Sequence, residues 1–255
     1  MLLAWVNRAD DADLSTDSEI ATLPASNVQQ VHVARKWHTA AGVKSAYLIF
    51  DLGSALACAI AAVLGTNLTS AATIQIRASD SDSSVTSSLL YDSGSIAAGV
   101  DDDYAAIYKS FASQAARYWR IDLADAALPD NLQVGRVFIG PTWEPSIDIE
   151  LGWSISSKDE SRIEKSYAGQ AYPDTRPACR VLEFSLAFME AAEMFGSGFA
   201  LSRAAGTTGD VLAVPDISSS YLSEQAVFGL LTASAPLVNY ELGIYRQKFS
   251  IEERL

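Results

Sequence analysis

The sequence is poor in cysteine, histidine and basic residues, and each shortage excludes a class of protein. Two cysteines, Cys58 and Cys179, are too few and too far apart for a disulfide framework. The only histidines, His32 and His38, are not spaced with a cysteine or a carboxylate as zinc ligands are. Eighteen basic against 31 acidic residues give a formal net charge of −13, which opposes nucleic-acid binding. We therefore expect two free thiols, no metal site and no sequence-specific nucleic-acid partner.

Long apolar runs are also missing. The longest, over residues 55–64, lies between Gly53 and Gly65 and is well short of the roughly 20 residues that span a bilayer. The apolar start has no basic residue ahead of it and is followed by acidic residues, so the pattern of a secretory signal is not seen. The sequence predicts no membrane insertion and a chain that stays in the cytoplasm when made.

What the chain has is short apolar segments closed by turn residues. With 255 residues, 49% of them hydrophobic and 19% charged, it is long enough for one large or two smaller globular domains. Segments 73–77 and 118–123 alternate apolar and polar residues, which is typical of antiparallel strands with one buried face. Helical periodicity is clear only over 189–195, before Gly196. The sequence therefore predicts a mainly β fold with one short helix.

A domain boundary is predicted at residues 140–146. Pro141 and Pro145 deny backbone donors to regular structure, so this segment is interpreted as a linker that proteases would cut. The predicted domains are residues 1–143 and residues 146–255.

The acidic loops suggest a test for calcium binding. Asp80 and Asp82 have the spacing of alternate oxygen ligands, but an EF-hand would need glycine at Val85 and glutamate at Tyr91. An EF-hand is excluded, and the alternatives left are solvated loops, the default, and an irregular calcium site.

Catalytic motifs are absent from the sequence. There is no Gly-x-Ser-x-Gly elbow, and Gly206–Asp210 lacks the lysine and hydroxyl residue of a phosphate loop, so it predicts a turn. Tryptophans could stack on sugars, although burial in a core is the more frequent role. The tryptophans concerned are Trp37, Trp119, Trp143 and Trp153. We expect a protein that is not an enzyme, with no catalytic residue and no cofactor.

The first half carries short motifs in a recognisable order. Asp-Leu-Gly at 51–53, Gly-Thr-Asn-Leu at 65–68 and Arg-Tyr-Trp-Arg at 117–120 follow one another within residues 20–140. This half resembles the galactose-binding-like, discoidin-type domains. The resemblance implies a jelly-roll β-sandwich and the possibility of glycan recognition. The ligand loops of that family vary too much to carry any ligand-binding residue over, so those residues are unknown at this point.

The second half resembles tail proteins of bacteriophages with long, non-contractile tails. The resemblance is carried by Leu-Gly-Trp-Ser at 151–154, Tyr-Pro-Asp-Thr-Arg at 172–176, Phe-Ser-Leu at 184–186 and Phe-Ser-Ile-Glu-Glu at 249–253. It implies a tail-tube-like β-sandwich or barrel with one flanking helix, within a distal-tail or baseplate structural protein of the virion.

Assembly is the function that follows from this resemblance. Strand-like segments at 227–231 and 237–245 have apolar residues on more than one face, so residues 146–255 are expected to carry ring contacts. Six copies are expected first and three as the alternative, with the jelly roll outside the ring. The partners would be other copies and other tail proteins, assembled in the host cytoplasm. The alternative functions are a carbohydrate-binding receptor-recognition protein of the virion and a hydrolase of cell-wall glycan.

Overall fold

The computed structural model describes residues 1–101 and 103–254, and the prediction of a mainly β fold is confirmed. In chain order the strands are β1 (Leu2–Ala4), β2 (Asp13–Thr16), β3 (Trp37–His38), β4 (Ser45–Leu64), β5 (Thr73–Ser79), β6 (Leu89–Asp92), β7 (Ile96–Ala97), β8 (Ala106–Ala124), β9 (Gln133–Val134), β10 (Arg136–Gly140), β11 (Ser154–Lys158), β12 (Arg162–Lys165), β13 (Ala171–Asp174), β14 (Cys179–Glu190), β15 (Asp210–Val214), β16 (Val227–Ser234), β17 (Val238–Glu241) and β18 (Ile244–Glu253). The helical segments are a 3-10 turn (Ala25–Gln29), α1 (Ala191–Glu193), a π turn (Met194–Gly198), α2 (Phe199–Ala205) and α3 (Leu222–Gln225). None of the helices within the described residues is long and apolar enough to span a membrane.

The chain forms two compact units whose segments are interleaved along the sequence. The jelly-roll unit comprises Val6–Thr142 together with Ile217–Glu224, and the C-terminal unit comprises Met1–Trp5, Trp143–Asp216 and the chain from Gln225 onward. The domains predicted from the sequence, 1–143 and 146–255, put residues 1–5 in the first domain and residues 217–224 in the second, whereas the contacts group each of these segments with the other unit. The reason for the first is β1, whose three buried residues pair antiparallel with β15 at Leu2↔Val214. Local composition does not show a pairing between strands so distant in sequence.

The jelly-roll unit is built on two long, bent strands. Its main sheet has the order β10-β4-β8-β5-β6, with β2 on β4 and β7 on β5, and β3 pairs with β9. β4 and β8 are antiparallel, with breaks in register between Asp51 and Leu56 and between Cys58 and Ile60. Such irregularities bend strands, so the sheet curls around its apolar face.

The core of the jelly-roll unit contains two of the five tryptophans. Trp37 and Trp119 are fully buried, and their ring N–H groups donate to the carbonyls of Ser18 and Ala116. The core interpretation of these two tryptophans is confirmed. β5 and β8 alternate buried and half-buried residues over the segments where the sequence predicts antiparallel strands.

The C-terminal unit is one sheet with a helical segment contributing to its core. The sheet order is β1-β15-β16-β18-β14-β11, with β17 on β18, and Phe184 stacks on Phe249 with ring centroids 5.3 Å apart. The predicted helix at 189–195 begins too early, because Met189 still belongs to β14. The helical run covers residues 191–205, and Gly196, the predicted stop, lies inside its π turn.

A hairpin stands apart from both main sheets. β12 and β13 pair only with each other among the described strands, and all of their residues are exposed. An isolated two-stranded hairpin is at best marginally stable in water. We call residues 162–174 the hairpin arm.

Candidate interaction surfaces and ligand pocket

Five aromatic residues gather at the end of the C-terminal sheet where β14 ends and β18 begins. They are Phe188, Phe195, Phe199, Tyr240 and Tyr245, and we call them the aromatic rim. The first four are between 46% and 56% exposed, and Tyr245 is half-buried. Large rings left open to water in this way are characteristic of interaction sites.

The rim aromatics contact one another in edge-to-face pairs. Phe188 meets Tyr240 with ring centroids 5.6 Å apart, and Phe195 meets Phe199 at 6.4 Å and Tyr245 at 5.1 Å. Each such pair stabilises the arrangement of its two rings by about 0.5–1.5 kcal/mol. The rings are therefore held in place while much of their surface stays open.

Phe188 is exposed because of its backbone. Leu182, Phe184 and Leu186 are buried, so strict alternation along β14 would also bury residue 188. The register shifts between Leu186 and Met189, Phe188 adopts φ +59°, and Met189 is buried in its place. A left-handed conformation at a bulky residue costs about 1–2 kcal/mol, and such strain concentrates at functional sites.

The π turn exposes a second part of the rim. The N–H of Phe199 bonds the carbonyl of Met194, five residues earlier, so one extra residue is accommodated in the helix. Met194 is fully buried, whereas Phe195 is open to solvent. Turns of this kind are rare and occur frequently at functional sites.

The segment before the C-terminal sheet is tied to this helix. The Glu193 carboxylate accepts hydrogen bonds from the Trp143 ring N–H at 3.1 Å and the Ser146 backbone N–H at 2.8 Å, and also from the Ser146 hydroxyl. Trp143 and Leu3 exchange both backbone hydrogen bonds. Most of the segment that the sequence interprets as a linker is thus anchored within the C-terminal unit.

The hairpin arm is the second apolar surface of the C-terminal unit. Ile163, Tyr167 and Tyr172 are all more than half exposed. Ile163 pairs with Pro173 and Lys165 with Ala171, so these four side chains share one face of the arm. One face of the arm is therefore apolar apart from a single ammonium group.

The arm and the rim lie at opposite ends of the same strand. The arm returns to the sheet at Cys179, the first residue of β14, and the rim begins just before Glu190, the last. From Cys179 to Phe188, at about 3.3 Å per residue, the strand separates them by roughly 30 Å.

The motifs behind the jelly-roll resemblance meet across two strands. Arg117, from Arg-Tyr-Trp-Arg, makes a two-pronged contact with Asp51, from Asp-Leu-Gly, with distances of 2.7 and 2.8 Å. Arg120 lies over the Tyr47 ring at 3.8 Å and donates to Asp122. These residues join β4 to β8, which is a structural role.

The acidic loop is closed by its own hydrogen bonds. The Asp82 carboxylate accepts from the backbone N–H and hydroxyl groups of Ser84, Thr86 and Ser87. These bonds, the Ser84 hydroxyl first, hold the pKa of Asp82 far below its usual range. Within residues 1–101 and 103–254, no group of three or more His, Cys, Asp or Glu side chains is placed to hold a metal ion.

The histidines and cysteines do not belong to the aromatic rim, the hairpin arm or the acidic loop. His32 is exposed, and His38 is half-buried with its ring nitrogen 3.2 Å from the Asn131 amide. Both cysteines are buried free thiols, and burial raises the pKa of Cys58 to about 12. Neither pair resembles a reactive site.

The jelly-roll unit contains a half-open pocket of about 340 Å³. Three segments form it: the loop after β7, the start of β8, and residues 217–224 with the beginning of α3. Its polar lining residues are Asp101, Lys109, Ser219, Ser220, Ser223 and Glu224. Sequence reasoning missed this pocket because residues 217–224 were assigned to the other domain.

Lys109 is the unusual member of the pocket. Its side chain is half-buried, and burial lowers its pKa. Within the described part of the chain, the Lys109 ammonium group has no hydrogen-bond acceptor and no ion-pair partner.

No family model matches this sequence, and no curated protein sequence does. Solved structures do show a likeness to about half of the chain. A chitosan-binding module of a chitosanase/glucanase from Paenibacillus sp. IK-5 is 18% identical with a TM-score of 0.42, and the match covers 52% of this chain and 98% of that one. The lectin domain of lectinolysin, solved with Lewis B antigen, is 14% identical with a TM-score of 0.43, over 53% and 96% of the two chains. A fucose-binding module of Streptococcus pneumoniae is 11% identical with a TM-score of 0.42, over 53% and 95%.

Proposed function

We propose that this chain is a non-enzymatic structural protein that associates head to tail with copies of itself through its C-terminal unit. The observation that carries the proposal is the aromatic rim, where a strained backbone and a π turn hold rings open to solvent. The occupant we propose for the rim is the hairpin arm of a second copy.

The open area of the rim determines the apolar contribution to association. A buried aromatic side chain covers about 150–250 Å², so four half-exposed rings leave on the order of 400 Å² open. At about 25 cal/mol per Å², covering that area gives a gross gain of roughly 10 kcal/mol, before the costs of association are subtracted. The open area also matches the size of patches that mark interaction sites.

The arm has the chemistry to cover the rim. Its face with Ile163 and Pro173 is apolar and carries Lys165, while Glu190 and Glu241 are exposed beside the rim. Opposite charges at the edge of an apolar contact favour one orientation of encounter. Packing on a neighbour would also stabilise a hairpin that has no other strand beside it.

The placement of the two surfaces suits head-to-tail assembly. When the arm of one copy packs on the rim of the next and this contact repeats in one direction, it is heterologous and forms a closed ring or a filament, whereas a reciprocal pair of such contacts about a two-fold axis would close a dimer. A ring agrees with the sequence resemblance to phage tail proteins, which gives the setting we propose: a tail tip or baseplate in the virion, assembled in the host cytoplasm. Six copies are the first expectation and three the alternative, with the jelly-roll unit outside and other tail proteins as neighbours.

Charge reversal tests the contact. Lys165→Glu and Glu241→Lys should each weaken association measured by sedimentation, whereas an equal mixture of the two variants should restore it, because each altered arm then meets an oppositely charged rim. Leu90→Ser, at an exposed apolar position of the jelly-roll unit, is the matched control and should associate like the wild type. A wild-type chain that stays monomeric at about 100 µM, or a mixture that restores nothing, would contradict the proposal.

We propose saccharide recognition by the jelly-roll unit as a second function. The observation that favours it is the half-open pocket, where an ammonium group with no partner among the described residues shares the lining with hydroxyl and carboxylate groups. In the assembled protein this unit would contact a glycan on the host surface.

A further inference from the structure

We infer that the pocket beside Lys109 is the ligand site of the jelly-roll unit, and that it takes one hydroxyl-rich ring of a neutral saccharide. This inference rests on the second function proposed above and gives it a location and a ligand class.

Lys109 requires an acceptor from outside the described chain. An ammonium group has three donors and no acceptor, and here it has lost part of its hydration without gaining a protein partner. Gly99, at φ +72°, lies against it: a Cβ built on that residue would be 3.6 Å from Nζ. The ammonium group therefore lies beside the loop after β7 in the pocket lining, and a ligand oxygen in the pocket would accept its hydrogen bond.

The other polar groups determine which oxygen fits. Asp101 and Glu224 bring two carboxylates to the pocket lining, so with Lys109 the three formal charges sum to −1. An anionic ligand would meet two carboxylates, and a cationic ligand would meet the ammonium group. A hydroxyl group satisfies both, because it accepts from Lys109 and donates to a carboxylate.

The walls and size of the pocket suit a sugar ring. Its volume of about 340 Å³ lies at the lower end of the range for small-ligand sites. Tyr108 is buried and Leu222 half-buried in the lining, so part of the wall is apolar and can pack against C–H groups. One pyranose with neighbouring hydroxyls has this mixture of apolar and polar edges.

The test uses the full chain, because residues 217–224 form one wall. Methyl α-galactoside, methyl α-fucoside and N-acetylglucosamine are titrated by ligand-observed NMR, with sialic acid as the anionic comparison. We expect at least one neutral probe to bind, and Lys109→Met to weaken it about tenfold or more. Lys44→Met is the matched control, since Lys44 does not line the pocket and its side chain donates a long hydrogen bond, at 3.5 Å, to the Ala126 carbonyl, and it should bind like the wild type.

The outcomes distinguish failure of the proposed pocket from failure of saccharide recognition itself. If a neutral sugar binds the wild type and Lys109→Met equally, the location is wrong while saccharide recognition stands. If only sialic acid binds and Lys109→Met abolishes it, the ligand class is wrong. If no probe binds, both the inference and the second proposed function fail. A circular dichroism spectrum of Lys109→Met checks that any loss of binding is not a loss of fold.

Discussion

Replacing Phe188 with glycine should leave the fold nearly as stable as before while weakening self-association. Glycine adopts φ +59° without strain, which returns about 1–2 kcal/mol. Two losses of stability oppose this gain. Removing the half-buried ring and its edge contact with Tyr240 costs about 1 kcal/mol, and the flexibility of glycine in the unfolded chain costs about 0.5–1 kcal/mol. The net change in the free energy of unfolding should therefore be within about 1 kcal/mol of zero.

The comparison is with a phenylalanine of the same strand that points inward. Phe184 is buried against Phe249, and Phe184→Ala should cost about 3–5 kcal/mol. Unfolding in urea at a concentration where the chain is monomeric measures both variants, and sedimentation at higher concentration measures association. A loss above about 3 kcal/mol in Phe188→Gly would show that the ring belongs to the core. Unchanged association of Phe188→Gly would show that the rim is not the interface.

Three further predictions concern the backbone, a thiol and a carboxylate. Limited digestion with proteinase K, a protease of broad specificity, followed by mass spectrometry should cut first in the hairpin arm, whereas a first cut within residues 140–146 would support the predicted linker. An alkylating reagent at about pH 8 should leave Cys58 unmodified until the chain unfolds, because burial raises its pKa to about 12; rapid labelling of the native protein would contradict this. Hydrogen bonds from Arg117 lower the pKa of Asp51 in the folded state, so its contribution to stability is present above the unfolded value of 3.8 and is lost as pH falls through the folded value. Asp51→Asn should therefore lower the urea midpoint near pH 7 and change little at about pH 2, and an equal effect at both pH values would refute the assignment.

Local patterns predicted the strands well because burial on one face has a period of two. The alternation at 73–77 and 118–123 corresponds to β5 and β8, whose inward residues pack in the jelly-roll core. The same rule fails at Phe188. Strict alternation would bury this residue, whereas the bulge turns it toward solvent. A bulge adds one residue to one strand, and nothing in the composition of that strand marks it.

Long-range pairing was the other part that the sequence did not reveal. Residues 217–224 complete a pocket with β8, and residues 1–5 complete a sheet with β15, although the intervening chain belongs largely to other elements. Their local composition resembles that of any loop or edge strand. The ring, its copy number and the saccharide remain predictions from resemblance and chemistry.

The pairing of β1 with β15 has a consequence for how the chain folds during synthesis. β1 leaves the ribosome well before its partner around Leu212, because most of the described chain lies between them. At a synthesis rate of about 5–20 residues per second, β1 stays unpaired for roughly 10–40 s before that partner is made. Val6–Thr142 can collapse in the meantime, while Leu2–Ala4 remain an unpaired apolar segment. Completion of the second sheet is therefore a late, slow step, as expected for contacts between residues far apart in sequence. An unfinished chain would be most prone to aggregation through this amino-terminal strand.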